Sequence, residues 1–130
     1  MATSIKNGTH YGESLLYSDE EIEVTPGQAS YRLRSPFPDA AHPDLDVPEP
    51  LPPGEWAELE RLADLWAPQM LPAVIGIPDA SDAGAEFVEV ADGPRSRRVE
   101  FEVPRVPPEI ASLVERLRAI RGRFRARYRR

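Results

Sequence analysis

Apolar residues follow two spacings along the chain. In "ASYRLRS", Ala29, Tyr31 and Leu33 alternate with Ser30, Arg32 and Arg34, a period of two that predicts a strand with one buried face. The same alternation recurs in "EFVEV" and "RVEFEV", which flank "ADGPRSR". Val88 and Val90, then Val99, Phe101 and Val103, form one apolar face against Glu89, Arg98, Glu100 and Glu102, so an antiparallel hairpin with one wet face is expected. "YGESLLY" and "EEIEVTP" carry apolar positions that suit one or two short strands ahead of a turn at "TPGQ".

The second spacing is helical. Trp56, Leu59, Leu62, Leu65 and Trp66 fall three or four residues apart in "PPGEWAELERLADLW". Pro53 suits the first turn, Glu55 complements the positive helix end, and Pro68 lies just beyond. Ile110, Leu113, Val114, Leu117, Ile120, Phe124 and Tyr128 repeat the pattern near the C-terminus. From Arg121 to Arg129 arginine also alternates strictly, so helix and extended chain both fit; a helix that frays after Gly122 is the simpler expectation.

These elements predict an α+β fold, in which an antiparallel sheet of three to five strands carries two amphipathic helices packed on one face. The 130 residues suit one domain with a modest core. Within it, residues 1–10 are expected to be a frayed N-terminus and 36–53, with seven prolines in eighteen positions, an acidic linker over the surface. Residues 121–130 read as an arginine-rich tail.

Charge sharpens the picture. The chain carries a formal net charge of −6, yet Arg116, Arg118, Arg121, Arg123, Arg125, Arg127, Arg129 and Arg130 follow the last acid, Glu115. Residues 1–115 hold 8 basic and 22 acidic groups, a net of −14, and residues 116–130 hold +8. Such asymmetry suggests an interaction tail, although scarce lysine and abundant Ala, Arg, Asp, Glu and Pro also reflect a GC-rich, bacterial-type composition.

The order from "PLPPGEWAELERLADL" through "FVEVADG" and "RRVEFEV" to "VPPEIASLVERL" resembles the protealysin-inhibitor (emfourin) family, small inhibitors of thermolysin-type metallopeptidases. The likeness covers roughly residues 50–120. It implies a compact sheet with two helices, and a protein whose work is to bind another protein.

The chemistry available is narrow. The absence of cysteine removes disulfides, thiolate metal sites and a thiol nucleophile. His10 and His42 are the only histidines, without a second ligand at metal spacing. Ser14, His42 and Asp44 do not sit in a nucleophile-elbow motif. Asp79 and Asp82 lack the remaining ligands of a calcium loop and read as turn formers. No catalytic, cofactor-binding or metal residue is therefore assigned, and a non-enzyme is expected. With no basic-then-apolar leader and no run of 18 apolar residues, the expected location is cytoplasmic.

Two binding readings remain. A protein partner with an acidic surface patch would meet Trp66, Met70 and Leu71, together with Arg121, Arg123, Phe124, Arg125, Arg127, Tyr128, Arg129 and Arg130. Alternatively, the same tail binds RNA or single-stranded nucleic acid, arginines on phosphates and the two rings on bases. The protein-binding accessory, peptidase-inhibitor-like in form, is preferred because a body of −14 repels nucleic acid.

Overall fold

The computed structural model describes residues 2–11, 17–66, 71–78 and 84–129. Among these described residues, six strands, β1 (Ser4–His10), β2 (Asp19–Thr25), β3 (Gln28–Arg34), β4 (Leu45–Pro50), β5 (Ala85–Asp92) and β6 (Arg95–Glu102), and two helices, α1 (Glu55–Trp66) and α2 (Ala111–Tyr128), make up an α+β fold. The sheet order is β4-β3-β2-β1-β5-β6, every neighbour antiparallel. The first four strands form a meander; the chain then returns through α1 and adds the β5–β6 hairpin on the other side of β1. A 3-10 turn at Pro108–Ile110 leads into α2.

One sheet face is buried across β1, β2, β3, β5 and the second half of β6. Ile5, Ile22, Val24, Ala29, Tyr31, Leu33, Val88, Val90, Val99 and Phe101 point into it and meet Leu59, Leu62, Ala63 and Trp66 of α1, and Leu113, Val114, Leu117, Ile120 and Phe124 of α2. α2 lies across β1 and β2, and α1 packs beside it. The β5–β6 hairpin buries Val88, Val90, Val99 and Phe101 as expected, but Val103 lies past the end of β6 and outside the core; at the other end the ladder runs to Asp92–Arg95 around Gly93.

The sheet exceeds the expected three to five strands because two were not legible. Residues 4–10, expected to be frayed, form the centre of the sheet. The inward positions of β1 are Ile5, Asn7 and Thr9, so only one is a strong apolar signal. Residues 45–50 of the expected linker form β4, where Pro48 and Pro50 are tolerated because an edge strand needs only half of its backbone donors. The C-terminal segment differs too. α2 continues through Gly122 to Tyr128, because Phe124 stacks on Tyr31 at 5.2 Å between ring centroids and the arginines find carboxylates on the sheet.

Candidate functional site

Arg118, Arg121, Arg125 and Arg129 recur at three or four residues and so share one face of α2. That face turns inward. In the strand register, Glu20 shares the parity of Ile22 and Val24, and Glu86 that of Val88 and Val90, so both carboxylates are buried beneath the helix. Arg121, whose side chain is only 4% exposed, lies between them: Nη2 donates to Glu86 Oε2 at 3.3 Å and Nε is 3.6 Å from Glu20 Oε1.

The flanking arginines complete the array. Arg118 Nε donates to both oxygens of Glu86 at 3.1 Å; its Nη2 donates to Glu86 Oε1 and, at 2.7 Å, to the carbonyl of Val103. Arg125 forks onto Glu20 with bonds of 2.9 and 2.5 Å. Arg129 donates to Glu20 at 3.4 Å. The strands contribute donors as well. The Tyr31 hydroxyl donates to Glu20 Oε2 at 2.5 Å, and Asn7 Nδ2 to Glu86 Oε2 at 3.0 Å. Asn7 and Thr9 are thus polar inward residues of a central strand because their neighbours are ionic.

Protonation follows from these contacts. Burial pushes the Glu20 carboxyl upward, but hydrogen bonds from Arg125 and Tyr31 and the charges of Arg125 and Arg121 prevail and hold it below its ordinary range. Burial, reinforced by the hydrogen bond to Glu20, pushes the Tyr31 phenol up. Burial lowers the pKa of Arg121 against the pull of Glu86 and Glu20. The array is a set of ion pairs with its acceptors occupied, which makes it a clamp between helix and sheet.

The outward arginines of α2 are also engaged. Arg123 donates to Glu55 at 2.9 Å, Arg127 to Glu49 at 2.6 Å, and the Tyr128 hydroxyl to Glu49 at 2.6 Å. Arg116 stands 3.8 Å from Glu58. The cluster that reads as a tail therefore closes on acids at positions 20, 49, 55, 58 and 86 of the same chain. Phe124 is buried. Arg130 and Met70 lie outside the described residues.

Trp66 is not a surface anchor. It is 3% exposed in the core, with the Arg97 guanidinium 5.2 Å above its ring. Leu71 is half-buried against the same core. Leu65, expected on the apolar stripe of α1, is exposed instead, as is Phe37 of the β3–β4 connection, and two more exposed apolar residues come from the segment that follows Leu71. Val74 is 54% exposed and Ile77 68%, yet the backbone between them is pinned to the free side of β6: Ile75 N–H donates to the Glu100 carbonyl at 2.8 Å and Glu100 N–H to the Ala73 carbonyl at 2.9 Å. Gly76 is required here. Its φ is +76°, and a Cβ would fall 2.6 Å from Glu102 Oε2.

Comparison with family profiles finds no match, and comparison with characterised proteins finds none. Among the described residues, no group of three or more His, Cys, Asp or Glu is arranged to hold a metal, and no helix is long and apolar enough to cross a membrane.

Glu20 and Glu86 as partners of the arginines, and Tyr31 and Asn7 as further donors to those glutamates, are not apparent from the spacing of the sequence. A signal was present: each glutamate sits on the apolar parity of its strand, where an unpaired charge is costly. Nor is the exposure of Val74 and Ile77 apparent, since it depends on which backbone atoms meet β6.

Proposed function

We propose that the protein is a small non-enzymatic binding module that docks on another protein through residues 73–77 beside β6, in the manner of a peptidase inhibitor. The carrying observation is the pairing of a pinned backbone with outward Val74 and Ile77. Two large apolar side chains held in water by a hydrogen-bonded segment lose little conformational entropy on binding, and a sheet-edge position suits addition of a partner's extended strand. The emfourin-like order of elements supports an inhibitor of thermolysin-type metallopeptidases. Engagement of the arginines by internal carboxylates disfavours nucleic acid as the ligand.

The test is a titration of a thermolysin-type metallopeptidase with the intact protein, following cleavage of a short peptide substrate. The expected result is one-to-one inhibition that Ile77→Asp weakens at unchanged thermal midpoint. Inhibition undiminished in Ile77→Asp and Val74→Asp would move the contact elsewhere. No inhibition at excess would remove the peptidase reading.

A further inference from the structure

The helices cover one face of the sheet and leave the other open. On the open face the register places Asp46, Arg32, Glu21, Gly8, Phe87 and Glu100 in one row across all six strands. The adjacent row contains Glu23, Lys6, Glu89 and Arg98. We propose that this face is a docking surface for a lysine- or arginine-rich segment of a partner protein, with one basic side chain entering a depression above Ala85.

The first argument is charge. Lys6 bridges Glu23 and Glu89, Arg32 bridges Glu21 and Asp46, and Arg98 bridges Glu89 and Glu100. Three bases are shared among five acids, so the patch retains negative charge. Their separations, 3.2–3.9 Å, are mostly too long for hydrogen bonds, and the carboxylates keep acceptor capacity. The arginines of α2 cannot neutralise them, since they are held on the opposite face or at its margin. A cationic segment is the complementary occupant.

Shape is the second argument. A depression of about 280 Å³ is walled by His10, Asp19, Glu21, Phe87, Arg98 and Glu100, with Ala85 among its lining residues. Ala85 puts only a methyl group there, and the neighbouring Gly8 lets the Phe87 ring lie close, since a Cβ on Gly8 would strike the Glu20 carbonyl at 2.6 Å and the Phe87 ring at 2.9 Å. The volume of the depression lies just under the roughly 300–1,000 Å³ of small-molecule pockets, a size suited to one side chain. The wall chemistry has an internal demonstration: Arg98 lies 3.9 Å over the Phe87 ring while donating to Glu100. Aromatic face and carboxylate together already hold one guanidinium, and the depression offers a second cation Glu21, whose pair with Arg32 is a long 3.9 Å, while Asp19 is already engaged by His10 and Ser18.

The probe is a twelve-residue peptide of alternating lysine and serine, titrated into the intact protein and followed by amide NMR shifts and calorimetry. Saturable one-to-one binding should shift Gly8, Ala85 and Phe87. Ala85→Leu fills the depression without altering charge, and should weaken binding about tenfold or more, as should Glu21→Gln with Glu100→Gln. Glu60→Gln with Asp64→Gln makes the same charge change on α1 and should leave affinity nearly unchanged. The proposal is overturned by affinity that follows net charge alone, equal in the two double variants, or by an indifferent Ala85→Leu. Failure to saturate, or shifts confined to other surfaces, overturns it too. Because residues 73–77 are untouched, peptidase inhibition and peptide binding fail independently.

Discussion

Replacing Arg121 by methionine tests the clamp between α2 and the sheet. The substitution keeps length and much of the apolar stem but removes a charge lying 3.3 Å from Glu86 and 3.6 Å from Glu20. At an effective dielectric constant of about 20, each attraction is worth about 5 kcal/mol. Desolvation opposes most of that gain, since Arg121 Nε and Nη1 are buried without hydrogen-bond partners. The carboxylates keep Arg118, Asn7, Arg125 and Tyr31, which places the net loss near the lower end of the range for breaking a buried pair, about 3 kcal/mol. For a domain of this size the thermal midpoint should fall by roughly 10–15 °C. Urea unfolding followed by circular dichroism gives the free energy directly. The matched control is Arg123→Met, where the exposed pair with Glu55 predicts a loss under about 1 kcal/mol. Equal losses in the two variants, or less than about 1 kcal/mol for Arg121→Met, would refute the clamp.

Glu20 is held below its ordinary 4.5, so its stabilisation is complete above that pH and disappears as pH falls through the lower folded value; Glu20→Gln should flatten the acid limb of a stability–pH profile. Tyr31 is shifted above its ordinary 10.0, so its contribution is complete below pH 10 and falls as pH rises further; Tyr31→Phe should flatten the alkaline limb. Phe124→Ala removes the ring stacked on Tyr31 and should cost about 3–5 kcal/mol in urea unfolding, and truncation after Ile120 should abolish cooperative melting. Gly8→Ala forces a methyl against the Glu20 carbonyl and should cost about 1–3 kcal/mol by the same assay.

Legibility followed the burial chemistry of each element. The hairpin, β3 and both helices could be read because their inward faces are mostly aliphatic or aromatic and regularly spaced, although Leu65 of the α1 stripe faces out and Val103 lies beyond β6. β1 was hidden because Asn7 and Thr9 face ions, and β4 because an edge admits Pro48 and Pro50. The same ionic layer hid the role of the arginines. Local sequence shows alternating arginine on both sides of Gly122, but the acids that receive it are 35 to 109 residues away, at Glu20, Glu49, Glu55 and Glu86, and only the sheet order brings them together. Trp66 was assigned to a partner because tryptophan favours interfaces. Its place at the end of the buried stripe of α1 carries it into the core, while Leu65 one residue earlier faces out and Val74 and Ile77 are exposed beside β6.

That the C-terminal arginines are internal parts of the fold is tested most directly by a proton–nitrogen NMR spectrum of the arginine Nε–H groups. Arg118, Arg121 and Arg125 should give dispersed, exchange-protected signals, unchanged by added single-stranded RNA. Signals collapsed at the position of free arginine, or shifted stoichiometrically by RNA, would contradict that placement.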